Sequence, residues 1–181
     1  MLRHYVGLLL VLVAIPCMSQ TAPIDGANAV LADPLLDNLV GHWKLTGKLM
    51  GKPAAHTVDV EWVLNHQFLR IHEVGAIDPK TGKPEYEATP MIGYDNMSER
   101  YVAHWIDVFG GRFSETLGYG KRAGDEIDFV FEYPDGPFRT TFAWDAPHRE
   151  WHWKMSQKNA AGQWTPFADV TLSRDRKEPS T

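Results

Sequence analysis

Between Tyr101 and Phe109 the chain reads "YVAHWIDVF", and two of these residues, His104 and Asp107, carry groups able to move protons. At a period of two, one face holds Tyr101, Ala103, Trp105, Asp107 and Phe109, and the other holds Val102, His104, Ile106 and Val108. Both faces are mostly apolar, so either one, turned inward, buries a polar group. A buried carboxylate needs a partner, because an isolated one is costly and titrates high. Arg70, Arg112 and Arg139 lie in other segments, each with a fork that fits a carboxylate. Three roles are open to Asp107: a structural pair or capped turn, a polar anchor in a ligand cavity, or a catalytic acid or base.

The remaining chemistry-bearing residues form no tight pattern. His42, His56, His66, His72, His104, His148 and His152 include no His-x-His or His-Glu-x-x-His spacing, so no metal site is expected. There is no nucleophile elbow, phosphate-binding glycine loop or dinucleotide fingerprint. The glycines of "VFGGRF" and "YGKRAGDE" read as hairpin turns. Seven tryptophans are many for 181 residues; most serve a core, and some could wall an apolar pocket.

The elements that must position these groups are short. "DPLLDNLV" has Leu35, Leu36 and Leu39 at near-helical spacing behind Pro34, which predicts one or two helical turns. From Gly41 onward, aromatic and β-branched runs alternate with turn formers, at roughly 41–50, 55–64, 67–77, 85–95, 100–109, 112–121, 126–133, 137–145, 150–157 and 163–173. No helical crossover fits between them, so the sheet is antiparallel. Ten sequential strands rarely stay open, and closure removes exposed edges. The expected fold is an all-β, ten-stranded, antiparallel up-and-down barrel with a short N-terminal helical segment. A sandwich would use fewer strands and needs long connections that are absent here. Inward faces are expected at Val58, Val60, Trp62 and Leu64, at Ile127, Phe129, Phe131 and Tyr133, and at Trp151, Trp153 and Met155.

The N-terminus sets the expected compartment. "MLRHYVGLLLVLVAIPCMSQ" has Arg3 ahead of an apolar run from Val6 to Ile15, too short to span a bilayer and suited to a secretory signal. Residues 1–19 are read as that signal, 20–34 as a flexible segment, 35–174 as the barrel and 175–181 as a disordered tail. The protein is then secreted or periplasmic. Pro16 before Cys17 argues against lipid anchoring at that cysteine, the only one in the chain. Cleavage would leave 17 basic against 23 acidic side chains, a formal net charge of −6. With no Lys/Arg cluster, neither nucleic acid nor an anionic membrane is an expected partner.

"NLVGHWKLTG" sets Gly41-His42-Trp43 at the first strand, and "DVTLSR" sets Arg174 at the end of the last. This resembles the Gly-x-Trp signature of calycins, the lipocalins, fatty-acid-binding proteins and nitrobindin-like barrels, whose tryptophan closes one barrel end beside a basic residue. "EWVLNHQFLR", "IGYDNMSERYVAHWIDV" and "TLSR" are similar to a bacterial family of exported calycin-like domains of unknown function. The shared positions are Trp43, Trp62, Tyr94, Asp95, Tyr101, Trp105 and Asp107, over residues 35–174. The resemblance implies Tyr101, Trp105 and Asp107 inward and His104 outward.

The function expected from this reading is binding of a small apolar or amphipathic molecule inside the barrel. Trp62, Tyr101, Trp105 and Trp153 would form the wall, with Asp107 and Arg139 or Arg70 as polar anchors. Gly41, Trp43 and Arg174 would be structural. No cofactor is expected; nitrobindin-like barrels hold haem through one histidine, and no position here matches a ligating motif. Two other readings compete: a small-barrel isomerase, cyclase or hydrolase with Asp107 as general base, and a structural or interaction domain with a filled core.

Overall fold

The computed structural model describes residues 30–175. The proposed signal, most of the segment 20–34 and nearly all of the tail lie outside the described residues. The described chain forms α1 (Pro34–Asp37), β1 (Gly41–Leu49), β2 (Lys52–Val63), β3 (Phe68–Val74), β4 (Glu87–Ala88), β5 (Met91–Asp95), β6 (Arg100–His104), α2 (Gly111–Ser114), β7 (Leu117–Ala123), β8 (Glu126–Tyr133), β9 (Gly136–Asp145), β10 (Glu150–Lys158) and β11 (Trp164–Arg174).

The ladder runs β2-β1-β11-β10-β9-β8-β7-β6-β5-β3, and β2 pairs with β3 to close it. Every pairing is antiparallel. The result is a closed ten-strand barrel, with the two-residue β4 as an extra rung on β3. Closure is incomplete at one place. β3 reaches β2 only from Thr57 to Val63, so Lys52–His56 of β2 pair with β1 alone.

The expected strands hold except where backbone conformation interrupts them. Leu64 does not face inward: Leu64, Asn65 and His66 all have positive φ, which turns the chain out of the sheet and leaves Leu64 67% exposed. The run 85–95 is divided at Thr89-Pro90, the run 100–109 leaves the sheet after His104, and the run 112–121 begins as α2. Asp107 keeps one bridge, to Ala88.

At the end of the barrel where β1 begins, α1 lies as a plug, with Leu35, Leu36 and Leu39 buried. Asp33 caps the helix by accepting from the N–H groups of Leu35 and Leu36, at 2.9 and 3.3 Å. The same carboxylate accepts from the Tyr101 hydroxyl and from Arg122, the latter at 3.2 Å. Trp43 Nε1 donates to the Leu39 carbonyl at 2.7 Å. The Arg174 guanidinium lies 3.9 Å from the Trp43 ring centroid and donates to the carbonyls of Val40 and Asn38. Gly41 makes room for it: φ is +128°, and a Cβ there would stand 2.1 Å from Arg174 Nη1.

The middle of the barrel is filled by rings. Trp151, Trp153, Phe129 and Phe131 are all buried, and Phe142 meets Trp153 edge-on at 4.8 Å. Each such side chain contributes about 1.5–3 kcal/mol through apolar burial. This packing stabilises a chain with no cysteine among its described residues.

Candidate functional site

The opposite end of the barrel is built differently. On β2, His56 continues the inward face of Val58 and Val60; on β3, Glu73 continues that of Leu69 and Ile71. The two side chains meet below the rim, Nδ1 to Oε1 at 2.6 Å, and are only 11% and 6% exposed. They line a cavity of about 20 Å³ whose other walls are Leu45, Leu49, Ala54, Met155, Ala168 and Val170. That is room for about one water molecule.

Two crossing segments, 75–90 and 105–116, cover this end. Gly75 N–H donates to the Tyr86 carbonyl at 2.8 Å, Thr89 N–H to Ile106 at 2.6 Å and Val108 N–H to Glu87 at 3.0 Å. Tyr86 stacks on His56 with centroids 5.8 Å apart, and its hydroxyl accepts from Trp105 Nε1 at 3.1 Å. Burial pushes the Tyr86 hydroxyl well above the usual phenol range, and the carboxylates of Glu73 and Asp107 push it further. Burial likewise raises Asp107, against the N–H of Phe109, which donates to it at 2.9 Å. Burial and then Asp107 raise Tyr133. Outside, the segments show water Ile77, Ile106, Val108, Phe109 and Phe113.

The sequence-derived site residues do not converge on one cavity. Trp105 and Asp107 are at the covered end. Tyr101 is buried at the plugged end, its hydroxyl pushed up to about 12 by burial and by Asp33. Trp62 is also at the plugged end, stacked on His66 at 4.2 Å and donating to Asp37 at 2.9 Å. Trp153 is fully buried in the central core.

The arginines are on the outer surface: Arg70 and Arg139 alternate with inward residues on β3 and β9, and Arg112 lies on the exposed α2. Arg70 pairs with Glu61; Arg139 lies 3.3 Å from Asp128 and over the Trp164 ring. Arg112 pairs with Asp135 at 3.1 Å. None of the three anchors Asp107. His104 is on the outer face of β6, where Nε2 meets the Ser114 carbonyl at 2.6 Å.

The residues that sequence reasoning missed are His56, Glu73 and Tyr86. The signal was present: "HTVDVEW" and "LRIHE" each put one ionisable residue in register with an apolar face. Among the described residues, no group of three or more His, Cys, Asp or Glu is placed to hold a metal ion.

A second recess, an open groove of about 410 Å³, flanks α1 and is lined by Leu31, Ala32, Asp33, Pro34, Tyr94, Glu99, Tyr101, Lys121 and Arg122. Its Asp33, Tyr101 and Arg122 are bonded to one another, so their polar groups already serve the fold.

Among solved structures, the barrel is similar to that in the "Crystal Structure of Rv2717c from M. tuberculosis", with a TM-score of 0.51 at 14% identity, covering 81% of this chain and 100% of that one. At that identity the likeness shows the fold alone. A search of curated proteins finds no match. Residues 33–174 match the family described as "Protein of unknown function (DUF1579)", and the chain belongs to that family.

Proposed function

We propose that this protein is an exported barrel that binds a small amphipathic molecule at its covered end, beside His56 and Glu73. The observation that carries this reading is the buried His56–Glu73 pair on the cavity wall. Taking two ionisable groups out of water costs several kcal/mol, and apolar residues of like volume would serve stability as well or better. A few polar groups set into an otherwise apolar recess are the usual means by which a binding site orients a small ligand. The calycin likeness of Gly41, Trp43 and Arg174, and the apolar run from Val6 to Ile15, support the barrel-binder class and its export. No cofactor is invoked.

A cavity of about 20 Å³ admits nothing larger than water, so a ligand enters only when the crossing segments shift. They are tied down by backbone bonds, the short β4 and the Trp105–Tyr86–His56 contacts, and a shift that admits a ligand must release some of these. Phe109 and Phe113, apolar and exposed, would then have a ligand to cover them.

The test is a titration with fatty acids, small isoprenoids and simple ketones, read by tryptophan fluorescence and thermal shift. A saturable response is expected, abolished by Ala168→Leu, which fills the cavity, and untouched by Lys121→Ala in the groove beside α1. The opposite pattern would move the site to that groove. The densely filled middle of the barrel favours a second reading, a domain whose interior is purely structural. That reading stands if every ligand leaves both signals flat.

A further inference from the structure

We propose that the covered end is a proton-transfer centre that enolises a small, mostly apolar ketone, with His56 as base, Glu73 as its positioning residue and Tyr86 as donor to the developing oxyanion. This rests on the ligand-binding reading of the same site.

Glu73 fixes the tautomer. A carboxylate 2.6 Å from Nδ1 holds the imidazole proton there, and a neutral ring so held carries its lone pair on Nε2. The flank of Nε2 is kept clear by Gly75, where a Cβ would stand 3.3 Å from that nitrogen. The tyrosine has the matching polarity. Its oxygen already accepts the Trp105 N–H, which leaves its own O–H to donate, and its surroundings keep it protonated. Leu45, Leu49 and Met155 suit a hydrocarbon body, and the cavity lining includes no hydroxyl or thiol to act as a nucleophile. These groups fit proton abstraction next to a carbonyl better than acyl transfer.

The step balances without a co-reactant. Nε2 takes the hydrogen on the α-carbon as a proton, and the C–H electron pair becomes the C=C bond of the enolate. The carbonyl π pair moves to oxygen, where it accepts a hydrogen bond from Tyr86. The imidazolium then returns a proton to the α-carbon, or to the γ-carbon of a β,γ-unsaturated ketone, which shifts the double bond into conjugation.

The experiment incubates the full chain in D2O with cyclohexanone or octanone. NMR follows deuterium entering the α-position, and thermal shift measures binding of the same ketones. The expected result is protein-dependent, saturable exchange. His56→Gln, which can still donate to Glu73, should lower it about 100-fold, within the usual range for a lost general base. Tyr86→Phe keeps the ring on His56 and should lower exchange by a similar factor. In both variants the ketone should still bind, which also reports that the barrel is folded. Binding without exchange overturns the proton-transfer inference and leaves the binding reading intact. Failure of both ketones to bind overturns the inference, and the reading beneath it falls too only if the fatty acids and isoprenoids also leave fluorescence and thermal shift flat. Exchange that survives His56→Gln and disappears in Asp107→Asn assigns the base to Asp107 and also overturns the proposal.

Discussion

The two ends of this barrel solve opposite problems with the same strands. At the plugged end the central polar groups are spent on structure: Asp33 caps α1 while holding Tyr101 and Arg122, and Arg174 covers Trp43 while satisfying two carbonyls. At the covered end, apolar side chains face water and an ionisable pair is shut away from it. One end is arranged as a folding unit would be. The other carries costs that folding alone does not require, and such local conflicts are where function is to be sought.

The largest expected effect tests the plugged end. Trp43→Ala removes a buried ring, its bond to Leu39 and the platform under Arg174, and should cost about 3–5 kcal/mol in urea unfolding. A loss no greater than that of a surface substitution would mean that α1 and its neighbours do not seal the barrel.

Next comes the contrast itself. His56→Leu strands the Glu73 carboxylate in an apolar wall and should cost about 3 kcal/mol, whereas His56→Leu with Glu73→Leu should recover most of that. If the double variant instead loses as much as the two single changes together, the two groups are not coupled and the ends differ less than their geometry indicates.

A smaller change separates capping from packing. Asp33→Ala removes the helix cap and the partner of Tyr101 and Arg122, for a cost of about 1–2 kcal/mol. An unchanged midpoint would show that the three leucines hold α1 without it.

The smallest effect has an unusual sign. The folded Asp107 carboxyl titrates above its unfolded value because burial disfavours the anion. The folded state therefore holds that proton more tightly, and stability falls as pH rises from the ordinary carboxylate range through the raised value. Asp107→Asn should stabilise by about 0.5 kcal/mol or less at neutral pH. It should give no gain at a pH well below the carboxylate range. Thermal melts at the two pH values check this, and a uniform loss would show that the Phe109 contact outweighs the cost of burying the carboxylate.

Much of the architecture was legible because it depends on local rules. Turn formers at regular spacing marked the hairpins, and alternation in "VDVEW" and, apart from Val130, in "IDFVFEY" marked the inward faces. What escaped depended on backbone conformation or distant pairing. Three successive positive-φ residues at Leu64, Asn65 and His66 are not written in any side-chain pattern. The backbone bonds that tie segment 105–116 to residues 87 and 89 are indifferent to sequence, and the Trp105–Tyr86 contact joins residues 19 positions apart. His56 and Glu73 sit 17 positions apart and meet only once the register of β2 and β3 is set. The alternation from Tyr101 to Phe109 reads as one continuous strand through Asp107. In the folded chain that strand ends at His104.

The short stretch where β2 outruns β3 has a further consequence. Lys52–His56 pair with β1 on one side and have no strand on the other among the described residues. A closed barrel is normally proof against edge-to-edge association, and here five residues reopen that hazard. The sequence answers with a lysine, whose charge repels a second copy of itself, and with Pro53, which has no N–H to donate to an incoming strand. Replacing both would turn a notch in the wall into a template for aggregation.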